Sequence, residues 1–168
     1  MPRELENLAR PEKAFKITGK SIAKESRLIN QDALLADQEN EIFAVFDGVG
    51  GDLAGEVASN LARSYIQEKT REFPRNLTAE EARKILGEIL QEASRKILNQ
   101  GKKNEGEEGM ATTASVVKIF DSGVDGRKAI IAHVGDSRTY ILRASGALEQ
   151  LSSDDNLINQ AIRNFESH

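Results

Sequence analysis

Two long helical patterns stand next to each other in a chain that is otherwise made of short apolar runs and polar turns. The second pattern is the plainer. Thr78 and Glu81 have capping-box spacing. Ala82, Ile85, Leu86, Ile89, Leu90, Ala93, Ile97 and Leu98 then keep a helical period, and Gly101 suits the stop. The first, Asp52 to Lys69, carries Leu53, Val57, Leu61 and Tyr65, with Ala54, Ala58, Ala62 and Ile66 alongside. Both stripes read as core. Strands are predicted before the pair at Ala14–Thr18, Ser21–Lys24, Ala33–Leu35 and Glu41–Phe46. They are predicted after it at Thr112–Phe120, Arg127–Val134, Thr139–Leu142 and Ala147–Leu151, with a last short helix at Leu157–Phe165. Residues 101–109 read as a solvated loop and Asp121–Gly126 as a hairpin turn. Strands, two consecutive helices, then strands is an α+β order, not an alternating βαβ one.

The run Glu41-Ile42-Phe43-Ala44-Val45-Phe46-Asp47-Gly48-Val49-Gly50-Gly51 drives an apolar strand into one carboxylate and then a glycine turn. A strand that ends on Asp puts its charge at the sheet's rim, where water, metal or phosphate reaches it. Glycines there allow close backbone approach to a ligand. Several site types fail on these letters. The Gly-Lys-Ser/Thr of a P-loop is absent. Leu53 holds the last position of a dinucleotide fingerprint begun by Gly48 and Gly50. Ala58 stands where a calcium loop starting at Asp47 needs Glu. Val49 fills the place of the second Asp of an aspartyl-phosphate hydrolase. Two readings remain: Asp47 as a metal ligand with the Gly48 carbonyl beside it, or a strand end with a tight turn and a helix cap at Asp52.

Other segments repeat the arrangement. Ala129-Ile130-Ile131-Ala132-His133-Val134 runs into Gly135-Asp136-Ser137-Arg138, and Arg27 and Asp32 flank Asn30-Gln31 before Ala33-Leu34-Leu35. Separated Asp residues at strand ends suit Mg²⁺ or Mn²⁺ rather than zinc. An arginine fork suits a phosphate. Thr112 and Thr113 read as packing and hydrogen-bonding near the site, His133 as a core or edge histidine, and Arg138 as a support for the surroundings of Asp136. Asp154 and Asp155 read as caps of the following helix.

In order, Arg27…Asn30-Gln31-Asp32, Asp47-Gly48-Val49-Gly50-Gly51, Gly55-Glu56-Val57-Ala58-Ser59, Thr112-Thr113-Ala114 and Val134-Gly135-Asp136-Ser137-Arg138 resemble the metal-dependent protein phosphatase 2C (PPM-type) family in its bacterial style. Leu151-Ser152-Ser153-Asp154-Asp155-Asn156-Leu157 is similar to the Leu-Thr-x-Asp-His-Ser segment of those enzymes. The resemblance runs from about Phe15 onward. It implies an α+β fold with a central antiparallel β-sandwich flanked by helix pairs and metals at one edge. It implies hydrolysis of phosphoserine and phosphothreonine in proteins by direct attack of metal-activated water, with two or three Mn²⁺ or Mg²⁺ ions in a complete site. Asp47 would bridge two ions and the Gly48 carbonyl would complete one. Asp32 would orient water or join the ligands, Arg27 would grip the phosphate, and Asp136 would help hold a third ion.

The sequence also departs from that pattern. Val49 stands where some relatives carry a His proposed as general acid, and Asp52 replaces the His that usually follows Gly-Gly. Two further metal-binding Asp residues of the family would follow beyond His168, so the domain is expected to be C-terminally incomplete. A truncated or pseudo-phosphatase regulatory domain is the alternative reading.

Residues 1–168 read as one domain, with 1–13 a flexible lead-in. With 30% charged residues and a net charge of −4, a nucleic-acid surface is not expected. No apolar run reaches membrane length, and the polar, acid-bearing start is not a signal peptide. Zero cysteines exclude disulfides and thiolate chemistry. The expected partner is a phosphorylated protein, met by a monomer in the cytoplasm.

Overall fold

The computed structural model describes residues 16–23, 29–51, 53–123 and 126–155. In chain order the elements are β1 (Asp32–Asp37), β2 (Ile42–Val49), α1 (Ala54–Thr70), α2 (Ala79–Gly101), β3 (Ala111–Thr112), β4 (Ala114–Asp121), β5 (Arg127–Val134), β6 (Tyr140–Leu142) and β7 (Leu148–Gln150). The architecture is α+β. β1, β2, β4 and β5 lie side by side in an antiparallel sheet, the short β3 extends from β2, and β6 pairs with β7 as a separate hairpin.

Period-two alternation assigns the faces of the sheet. Ala33, Leu35, Ile42, Ala44, Phe46, Ala114, Val116, Phe120 and Ile130 are all buried. Together with Ala58, Ala62, Ile66, Ala82, Leu86 and Ala93 of the helices they form one core. Small residues on α1 let the helix lie close to β2. The opposite face carries Leu34, Phe43 and Val117, which are half-buried, and Val45, which is 44% exposed. There, residues 17–20 and Thr139-Tyr140 leave a cleft of about 290 Å³ over Leu34 and Val45.

Lys118 is the exception on the buried face. Its side chain is enclosed beneath the Phe73 ring, and its ammonium donates to the carbonyls of Asn40 at 2.9 Å and Ile119 at 2.6 Å. Removal from water pushes its pKa down.

The α2 start carries the expected capping box: Thr78 accepts from the Glu81 N–H, and Glu81 reaches back to the Thr78 N–H. The β4–β5 turn also falls where the sequence puts it. The strands predicted at Ala14–Thr18 and Ser21–Lys24 do not form within residues 16–23. A strand exists only as a ladder, and this segment pairs with no neighbour; all of it but Ile17 is exposed. The lead-in 1–13 and the helix predicted at Leu157–Phe165 lie outside the described residues. The first helix begins at Ala54, two residues later than its apolar pattern suggests. Its N-cap is Leu53, without a side-chain cap, and Asp52 lies outside the described residues.

Between the helices, the buried Tyr65 hydroxyl donates to the Glu92 carboxylate. This bond, with burial behind it, pushes the phenol up to about 12 from 10.0. The same bond lowers Glu92 below its ordinary value. The fold therefore favours the protonated phenol. The resulting stabilisation is complete below pH 10, where the unfolded phenol is also protonated, and is lost as pH climbs through 12. Urea denaturation at several pH values should show wild type losing stability relative to Tyr65→Phe across that interval. Parallel pH curves for the two proteins would contradict this assignment.

Candidate active site

β1 and β2 meet in a register that sets Asp32 directly opposite Asp47. Side chains so opposed project from the same face, with Cβ atoms about 4.5–5.5 Å apart. Two carboxylates fifteen residues apart in sequence thus share one place on the rim, and both residues are exposed. At that spacing they repel each other unless something positive lies between them. The Ser21 hydroxyl donates to Asp32 Oδ2 at 3.5 Å, and the Asp32 N–H donates to Asn30 Oδ1 at 3.1 Å.

The end of β2 is pinned rather than frayed. The Asp47 N–H donates to Thr113 Oγ1 at 3.0 Å, and its carbonyl accepts from the Thr113 N–H at 2.9 Å and the Thr112 hydroxyl at 3.1 Å. The two threonines therefore hydrogen-bond beside the site, as the sequence suggests. Immediately beyond, the Gly48 N–H donates to the Gln31 carbonyl at 3.2 Å. A Cβ on Gly48 would lie 2.0 Å from the Gly55 carbonyl oxygen and 2.6 Å from that of Gln31. A Cβ on Gly55 would lie 2.9 Å from the Gly48 oxygen. The close approach that the glycines permit is made by the first turn of α1, a use the sequence does not distinguish from approach to a ligand.

Asp136 sits in the turn after β5, following Gly135 at φ +97°, and is exposed. Among the described residues no three of His, Cys, Asp and Glu gather as a metal-holding group. Asp32 and Asp47 are brought together, and Asp136 does not close on them. Arg27 lies outside the described residues. Arg138 forks onto Asp154, at 2.8 Å from Nε and 2.6 Å between Nη2 and Oδ2. The bond to Asp154 raises the guanidinium pKa, and the Arg138 bond lowers that of Asp154. Asp155 donates its N–H to the Gly135 carbonyl at 2.6 Å. The segment read as helix caps is therefore stitched to the Asp136 turn. His133 stays within the sheet, its Nδ1 3.0 Å from Ser115 Oγ.

A cleft of about 290 Å³ opens beside the paired carboxylates, with Lys20, Ser21, Asp32, Asp47 and Ser137 as its polar lining. Lys20, Ser21 and Ser137 are site members that the sequence does not mark as such; the one signal for Ser137 is adjacency to Asp136. A roomier cavity of about 540 Å³ between α2 and β5 has no carboxylate in its wall. The chemistry-bearing cleft is the smaller one. The two carboxylates are oxygen donors, which fits part of the shell of a hard divalent cation, while the Gly48 carbonyl oxygen lies close to Gly55.

The model of the family described as "Protein phosphatase 2C" matches residues 13–160. The chain belongs to the protein phosphatase 2C family. It is 34% identical over 140 residues to the serine/threonine phosphatase stp of Listeria monocytogenes, covering 82% of this chain and 53% of that protein. It is 30% identical over 137 residues to the serine/threonine protein phosphatase PstP of Mycobacterium tuberculosis, covering 81% of this chain and 24% of that protein. Among solved structures, the S. agalactiae serine/threonine phosphatase aligns with a TM-score of 0.68 and 29% identity, over 83% of this chain and 56% of that one. The PstP catalytic domain in complex with two manganese ions aligns with a TM-score of 0.66 and 28% identity, over 82% and 55%. This phosphatase 2C chain thus spans about half the length of the stp relative it matches.

The packing of Gly48 on Gly55 gives a direct test of how the rim is built. Gly48→Ala or Gly55→Ala should cost about 1–3 kcal/mol or more, since backbone must move. Gly51→Ala, where a Cβ meets nothing within 4 Å, should stay within about 0.5 kcal/mol of wild type. Urea midpoints for the three variants decide it; equal losses at all three would refute the contact.

Proposed function

We propose that this chain carries the paired-carboxylate portion of a metal-dependent protein serine/threonine phosphatase that acts on phosphoserine and phosphothreonine in proteins. One observation supports this reading above the others: Asp32 faces Asp47 across β1 and β2 at an open rim, in a chain of a phosphatase family. Asp47, Asp32 and the Gly48 carbonyl would hold Mn²⁺ or Mg²⁺, and Asp136 would serve a further ion. Arg27 would take the substrate phosphate. Bound divalent ions make water a nucleophile near neutral pH and offset charge on the phosphoryl oxygens.

The protein's own part is to hold oxygen donors in place. Thr112 and Thr113 fix the Asp47 backbone, and Asn30 and Ser21 steady Asp32. No helix of the described residues is long and apolar enough to cross a membrane. A second reading, a regulatory phosphatase-like domain without turnover, draws on the fact that only two carboxylates gather among the described residues.

Mn²⁺-dependent hydrolysis of p-nitrophenyl phosphate, with Asp47→Asn beside wild type, separates the two. The enzyme reading expects turnover that chelation abolishes and that Asp47→Asn lowers by about 100-fold or more, the scale for losing one preorganised electrostatic group. Turnover indifferent to Asp47→Asn would sink the site assignment. A folded chain that binds Mn²⁺ through Asp47 yet never turns over would leave a fragment of the enzyme or a regulatory phosphatase-like domain.

A further inference from the structure

Ser137 lines the same cleft as Asp32 and Asp47, and a chain of hydroxyl groups fixes how it is held. Thr113 is only 8% exposed. Its Oγ1 accepts the Asp47 N–H at 3.0 Å and lies 2.6 Å from Ser137 Oγ. A threonine hydroxyl has one proton to give, and a buried donor left without an acceptor costs about 1–3 kcal/mol. Among the described residues, Ser137 Oγ is the acceptor within reach of that proton. The contact allows either hydroxyl to donate; with Thr113 as the donor, Ser137 accepts and its own proton is left for the cleft side.

The rest of Ser137 is held as firmly. Its carbonyl accepts the Ser115 hydroxyl at 2.9 Å. Gly135, two residues earlier, sits at φ +97° with room for no side chain: a Cβ would meet Thr113 Cγ2 at 2.7 Å. Thr113 thus packs beneath the Gly135-Asp136-Ser137 turn while holding the Asp47 backbone, and it couples the two carboxylate-bearing segments.

We propose that Ser137 is the cleft's hydrogen-bond donor to a phosphoryl oxygen, and that Thr113 is the positioning residue that aims it. This rests on the reading of the cleft as a cation and phosphate site, because an oxyanion approaches two carboxylates only once a divalent ion has offset their charge. A hydroxyl suits this role because it donates without adding charge, and a proton given by Thr113 to Ser137 Oγ would turn the serine's own proton outward.

The test is calorimetric binding of inorganic phosphate to the full chain in saturating Mn²⁺, with urea midpoints recorded for every variant. Ser137→Ala should weaken phosphate binding about tenfold, the scale of one lost hydrogen bond to a charged group. Thr113→Val should weaken it severalfold, and Thr113→Ser should restore it to within about threefold of wild type, which a purely steric role for the side chain would not do. Ser137→Ala binding phosphate as tightly as wild type overturns the proposal, even if Thr113→Val does not fold. Failure of Thr113→Ser to restore binding overturns the positioning role. Mn²⁺ titration of Asp47→Asn keeps the underlying reading separate. If wild type binds Mn²⁺ and Asp47→Asn does not, the metal reading stands and the serine result decides this inference alone. If the two bind Mn²⁺ equally, the metal reading fails and the inference fails with it.

Discussion

The contact between the backbones of Gly48 and Gly55 governs the geometry around it. It seats the first turn of α1 against the end of β2, with the Gly55 oxygen where a side chain on residue 48 would have to be. That seating lets Ala54, Ala58 and Ala62 bury against the sheet with Phe46. Asp47 stands one residue before that contact, and β2 runs on through Gly48 to Val49, paired with β3. The carboxylate is exposed because alternation along β2 turns it away from the face that buries Phe46 and Gly48.

Around that point, uncharged groups do most of the holding. The Asp47 peptide unit is gripped on both sides by Thr112 and Thr113, and Thr113 continues to Ser137. Such a scaffold adds no charge to a rim that already carries two negative ones. The charged pairs lie elsewhere, as Arg138 with Asp154 and Arg127 with Glu41 do. Lys118, the one buried ammonium among the described core residues, is satisfied by carbonyls and an aromatic face.

Legibility in the sequence followed the range of the interaction concerned. The α2 helix was readable to its first residue because a capping box is a local device, contained within Thr78 and Glu81. The strand carrying Asp47 was readable because its apolar run ends abruptly. The register that sets Asp32 against Asp47 was not readable, since it depends on the connection from Asp37 to Ile42, where Glu41 takes φ 56° and Asp37 caps the Asn40 N–H. The pairing of Arg138 with Asp154 was not readable, because sequence adjacency to Asp136 says nothing about a partner sixteen positions away. Ser137 had no signal of its own: a serine in a turn acquires a role only through Thr113, twenty-four residues back. Residues 16–23 misled because their apolar alternation lacks a strand to pair with.

The hairpin of β1 and β2 also differs in closure cost from the contacts that support it. Asp32 and Asp47 are joined by a loop of fifteen residues, whereas Asp47 and Thr113 are separated by 66. Closing the longer loop costs about 1.3 kcal/mol more in chain entropy. The facing carboxylates therefore belong to the locally closed part of the chain. The threonine hydroxyls that hold Asp47 come from beyond two helices, whereas the Ser21 hydroxyl at Asp32 is eleven residues away.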